Sequence, residues 1–177
     1  MRKFGCQSQV EYADWAIGRF LHQAEQRAWF RHTVFVFVAD HGAYGETDYD
    51  MSLSYHHVPL FFYAPGRIPA QHRTEPAQQI DIGPTLIGML WPGEPNLTLG
   101  LDLQRQRREY VFFSADNKIG VLDSVFFYRY RTADGNESLY RYRAHDTQDY
   151  LSARKAKADS MRTYGFSMIQ YAYDKLK

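Results

Sequence analysis

The sequence has a single cysteine, Cys6, which excludes an intrachain disulfide and a cysteine-rich zinc site. No local spacing puts a general base beside it, so Cys6 reads as a structural thiol. Also lacking is any apolar run near the roughly 20 residues of a membrane span. The start, MRKFGCQSQVEY, has basic residues but no apolar stretch behind them, so no signal peptide is legible there. Net charge is nearly absent: 21 Lys and Arg against 20 Asp and Glu leave +1, which argues against a broad polyanion-binding surface and makes nucleic acid an unexpected partner. No internal repeat or low-complexity tract interrupts the chain.

What remains is a chain of 177 residues with 45% hydrophobic side chains, enough to bury a core without covalent staples. Val10, Ala13, Ile17, Phe20, Leu21 and Ala24 recur at helical spacing, and Ser8 with Glu11 forms a capping-box pattern at the start of that segment. Thr33-Val34-Phe35-Val36-Phe37-Val38-Ala39 is a continuous β-branched and aromatic run, as expected of a strand buried on both faces. It stops at Asp40-His41-Gly42. Residues 42–56 are polar and tyrosine-rich, and a connection of that length inside a compact domain is more often functional than idle. A second apolar strand spans Val58–Tyr63, and Asp81-Ile82-Gly83-Pro84-Thr85 opens a helix running through Leu90, with Pro84 suited to its first turn.

This order of strand, loop, strand, loop and helix predicts an α/β layered sheet over residues 1–100. Beyond the breakers Trp91-Pro92-Gly93-Glu94-Pro95 the pattern changes, and residues 101–177 read as a small antiparallel sheet followed by a terminal helix. Its strands are expected at 110–114, 118–122, 124–131 and 138–143, with Asp134-Gly135 in the turn joining the last two. Met161, Tyr164, Met168 and Ala172 mark the helix, from about Ser152 to Leu176. On the third strand Phe126, Tyr128 and Tyr130 share one face, while Phe127, Arg129 and Arg131 share the other, read as a solvated arginine face over an aromatic core, with a surface for lipid phosphate or a polyanionic substrate as the competing reading. Arg105, Arg107 and Arg108 read as a charged linker.

Asp40 and His41 stand at the carboxyl end of a strand, where ligands collect in open α/β sheets, and carboxylate and imidazole both ligate Zn²⁺ or Mn²⁺. A plain polar strand-end turn is the competing reading. Gly42 would let the backbone pass close to an ion. His57, or less directly His56, closes the loop and could give a proton to a departing oxygen. If the two strands were parallel, His57 would instead lie at the far edge of the sheet. Asp81 reads as a helix cap rather than a site carboxylate.

Three blocks, Thr33 to Gly42, Val58 to Gly66 and Gln79 to Leu86, taken in this order and spacing, resemble the C-terminal part of the sulfatase-type fold of the alkaline phosphatase superfamily. They are most similar to the lipoteichoic acid synthase and phosphoglycerol transferase branch, and Tyr12-Ala13-Asp14 and Phe20-Leu21 fit the same pattern. The resemblance covers residues 8–90 well and the remainder only in layout. It implies a metal-dependent phospho- or sulfo-ester transferase or hydrolase in which Asp40 and His41 bind a divalent metal (Mn, Zn, Mg or Ca). His57 would act as the catalytic imidazole, and His56 and His57 would meet an anionic ester substrate. The nucleophile and further ligands would come from an N-terminal half of the catalytic domain that these residues do not include, so this chain alone is expected to be inactive. The resemblance also implies a place at the extracytoplasmic face of the bacterial cytoplasmic membrane or in the periplasm, with membrane contact only through segments outside this chain. A sulfatase or phosphodiesterase of the same superfamily, and a noncatalytic binding or assembly module, are the rival expectations.

Overall fold

Apolar periodicity and turn chemistry shape a mixed α/β chain, here a computed structural model that describes residues 6–45, 48–175 and 177, with the side chains of 6–8 left aside. In chain order the elements are α1 (Cys6–Ala24), β1 (Phe35–Val38), α2 (Leu53–His56), β2 (Leu60–Tyr63), α3 (Ile82–Leu90), β3 (Val111–Ala115), β4 (Lys118–Leu122), β5 (Phe127–Arg131), β6 (Glu137–Tyr140) and α4 (Lys155–Lys175). None of the described helices is long and apolar enough to cross a membrane. The chain divides into two units, one made of residues up to Asp40 with Val58–Gln71, the other of His41–His57 with His72–Lys177. The division expected near residue 100 falls inside the second.

In the first unit, α1 is already helical at Cys6, ahead of the cap expected at Ser8, whose side chain lies outside the described residues. β1 and β2 form a two-stranded antiparallel ribbon, with Phe35 opposite Tyr63 and Val38 opposite Leu60. Phe35 is its hub, with Phe20, Trp29, Phe30 and Tyr63 within ring-contact distance. The strand expected to be buried on both faces is only half-buried, and Val38 at its end is exposed. The cause is that two strands offer too little surface to cover it. Phe61 on the partner strand is 60% exposed, and Val10 and Ile17 on the apolar face of α1 are exposed too. Antiparallel pairing also sets the end of β1 beside the start of β2, so residues 39–59 form a loop whose two ends meet.

The second unit is built on a four-stranded antiparallel meander in the order β3-β4-β5-β6. Asp134-Gly135 makes the β5–β6 turn as expected, with Gly135 at a positive φ of 71° that a side chain would strain. One face packs under α4, where Val121, Tyr128, Leu139, Ala158 and Met161 are buried together. The helix comes close at Gly165, since a Cβ there would meet Val121 at 2.7 Å. The opposite face is not solvated. Tyr49 and Met51, from the loop after β1, bury Phe127 against Phe113, Leu122 and Tyr140. Arg129 is therefore 4% exposed and donates to Ser138 Oγ at 2.8 Å, in place of the solvated arginine expected. Arg131 keeps to the rim, where it donates to Asp50 of the loop at 2.6 Å.

Asp81 departs from expectation in the same direction. It makes no side-chain cap to α3 and is fully buried, accepting N–H bonds from Gln78 at 2.8 Å and Leu101 at 2.7 Å. Two donors of Arg108 complete it, Nε at 2.9 Å and Nη2 on the other oxygen. Arg108 is thus no linker arginine. Its Nη1 reaches the Tyr164 hydroxyl on α4 at 2.8 Å, so one ion pair joins the entry to α3, the 99–103 segment, the lead into β3 and α4.

Removing one partner of a buried pair strands the other charge away from water, at a cost of about 3–5 kcal/mol. Asp81→Ala is expected to lower unfolding stability by that amount in urea denaturation. Arg105→Ala, on an exposed neighbour, is expected to stay within about 0.5 kcal/mol of the parent.

Candidate functional site

The loop between β1 and β2 begins at the boundary of the two units, which falls between Asp40 and His41. Asp40 is exposed at the end of the first unit. In the second unit, His41 is exposed, and its Nδ1 lies 2.9 Å from the Gly42 carbonyl oxygen. A carbonyl only accepts, so Nδ1 carries a hydrogen, and in the neutral imidazole the lone pair is then on Nε2. Its ring lies against that of Tyr55, with centroids 4.7 Å apart and planes at 16°.

Gly42 is needed here for a different reason from the one expected. Its N–H donates to the Tyr55 carbonyl at 2.7 Å, and a Cβ on it would come 2.1 Å from the Ser54 carbonyl oxygen and 2.8 Å from that of His57. The close approach is therefore to the protein's own backbone. It brings the chain at His41-Gly42 against residues 54–57. That second stretch is the single turn α2, capped by Ser52, whose buried hydroxyl accepts from the Tyr55 N–H at 3.3 Å.

The two histidines that close the loop differ. His56 is half-buried, its ring 4.5 Å from that of Phe113 and edge-on to Tyr55 at 5.5 Å. Burial holds its pKa below the usual histidine range, with the negative charge of Asp116 opposing. His57 is exposed, and its N–H donates to the Ser54 carbonyl at 3.3 Å.

Rings thus follow one another from the sheet to the loop, through Phe127, Phe113, His56, Tyr55 and His41. Three acidic-to-basic contacts hold the loop's far side to the sheet: Asp50 with Arg131 and Lys118, and Asp48 with His145 at 3.0 Å. Sequence reasoning missed Tyr55, Ser52 and the Asp48 and Asp50 anchors. The legible signal was the unusual tyrosine content of the loop.

Among the described residues, no three His, Cys, Asp or Glu side chains are grouped to hold a metal ion. The donor types of Asp40 and His41, a carboxylate and an imidazole, are chemically suited to a divalent cation. They would leave its remaining positions to other ligands.

Residues 7–91, just under half of the chain, match the family model described as Sulfatase. Over 98% of its length the chain superimposes on 45% of a protein in the alkaline phosphatase superfamily from Vibrio parahaemolyticus, with a TM-score of 0.77 and 18% identity. Over 91% it superimposes on 38% of the phosphonate monoester hydrolase SpPMH from Silicibacter pomeroyi, with a TM-score of 0.66 and 20% identity. At these identities the likeness is one of fold, mixed α/β with antiparallel sheets and a C-terminal helix, as in alkaline-phosphatase-like proteins. The chain spans less than half the length of either structure.

Gly42→Ala places a methyl group into main chain that cannot yield, and is expected to cost about 1–3 kcal/mol in thermal unfolding, the range for overpacking. His56 supplies a pH test. Its folded pKa is depressed, so as pH falls below about 6.5 the unfolded chain takes the proton first and stability is lost. In His56→Phe the slope of unfolding stability between about pH 6.5 and 5 is expected to flatten.

Proposed function

We propose that this chain is part of a divalent-metal-dependent enzyme acting on phospho- or sulfo-esters, with Asp40 and His41 as metal ligands and His57 as proton donor. The observation that carries the reading is the arrangement of His41, whose Nδ1–H is held by the Gly42 carbonyl so that Nε2 is the ligating nitrogen, in a segment that matches the Sulfatase family model. A bound divalent ion would neutralise charge on the transferring group and lower the pKa of a coordinated hydroxyl. Asp40, the preceding residue in sequence, would supply the carboxylate ligand. His57, exposed on the same short turn as Tyr55, is free of the packing that holds His56 and is the better placed to give a proton to the departing oxygen. His56, packed on Phe113, serves the loop rather than the substrate.

The nucleophile and the other ligands belong, in this reading, to an N-terminal half of the catalytic domain. The lack of a third ligand among the described residues and the exposed Phe61, Val10 and Ile17 support it. A phosphoglycerol-type group, transferred outside the cytoplasm at the membrane face or in the periplasm, is the substrate class that the sequence blocks favour. The Sulfatase description and the phosphonate monoester hydrolase neighbour favour a hydrolytic alternative on the same site.

In the catalytic domain completed by its other half, Asp40→Ala and His41→Ala are expected to abolish metal-dependent turnover, with the loss of bound metal seen by elemental analysis. His57→Ala is expected to lower turnover about 10²–10⁴-fold on a poor leaving group, with metal content unchanged. Full turnover by Asp40→Ala would refute the metal role.

A further inference from the structure

We propose that Tyr55 is the positioning residue of His41, and that the identity of the ligating nitrogen depends on it. This rests on the reading of His41 as a metal ligand. Two of its contacts orient the imidazole. The Gly42 carbonyl takes the Nδ1 hydrogen, at 2.9 Å, and the Tyr55 ring, at 4.7 Å and 16°, holds the plane in which that bond can form. Either alone leaves a freedom: a hydrogen bond to a carbonyl lets the ring swing about it, and a stacked face lets the ring turn in its plane. Together they leave one orientation.

Tyr55 can do this because it is itself held at both ends. Its N–H donates to the cap hydroxyl of Ser52 and its carbonyl accepts from Gly42 N–H, so the residue that stacks on His41 also grips the backbone next to it. Behind it the edge-on His56 ring rests on Phe113 of β3, which lies parallel to the buried Phe127 of β5 at 6.0 Å and 7°. An exposed imidazole is thereby referred to the core of the four-stranded sheet. Asp48 and Asp50, bonded to His145 and Arg131, hold the opposite limb of the loop.

The test uses the 177-residue chain with ¹⁵N-labelled histidine, at a pH where the imidazoles are neutral, and Zn²⁺ as the probe. In the parent, long-range ¹H–¹⁵N correlations are expected to give His41 as the Nδ1–H tautomer, its ring protons moved upfield by the Tyr55 face. Tyr55→Phe, which keeps the face, is expected to retain both the signature and the Zn²⁺ affinity. Tyr55→Leu, in which the ring-current shift disappears with the ring itself, is expected to lose the Nδ1–H tautomer preference and to weaken Zn²⁺ by about 10–100-fold, the range for groups that orient a metal-binding histidine. A parent chain without the signature overturns the proposal, whatever the variants do. So does a folded Tyr55→Leu that keeps the Nδ1–H tautomer and the affinity. If the tautomer is present and is lost in Tyr55→Leu while the parent's Zn²⁺ binding is unchanged in both Asp40→Ala and His41→Ala, the positioning stands and the metal assignment fails.

Discussion

The buried pair of Asp81 and Arg108 is the constraint on which the larger unit depends. A carboxylate removed from water must have its lone pairs met, and here two backbone N–H groups and two guanidinium donors meet them. The four donors come from three stretches of chain, Gln78, Leu101 and Arg108, so the pair can be satisfied only when the entry to α3, the segment after it and the approach to β3 are all in place. Tyr164 extends the same condition to α4. Any arrangement that misplaces one donor leaves a buried charge uncompensated, so the pair disfavours alternative packings of these segments.

The four-stranded meander was legible because its determinants are local. Alternating aromatic residues, the Asp134-Gly135 turn and a helical stripe at Met161, Tyr164 and Met168 each lie within a few residues of what they specify. Arg108 and Arg129 were not legible, since an arginine near other arginines looks solvated until its partner is known. The partner of Arg108 lies 27 residues away, and the cover over Arg129 comes from a loop before the sheet begins. β1 was misread for a related reason. Its apolar run describes a strand inside a broad sheet, whereas within this chain it pairs with one strand and stays half-exposed.

The candidate site was legible as residues and not as architecture. Asp40, His41 and His57 could be picked out by type and by their place at strand ends. What could not be read is that the glycine after them is required by main chain at residues 54 and 57, or that a tyrosine thirteen positions further on, counted from Gly42, lies flat against the imidazole. Such contacts depend on the path of the loop, and that path is set by aspartates and aromatic residues whose partners lie on the sheet. Tyrosine suits this work, since its ring supplies a rigid face at little cost in conformational entropy.

The separations across which the loop is tied carry a temporal consequence. Asp50 meets Arg131 across 81 residues and Tyr49 meets Tyr142 across 93. The strands of the meander, by contrast, pair each with its neighbour in sequence and can close early. During synthesis from the N-terminus the Asp40-His41 segment emerges long before the surface that shapes it, so it must wait unshaped until β5 and β6 have left the ribosome. A chain interrupted before residue 140 would carry His41 and Tyr55 without the sheet contacts that hold their loop.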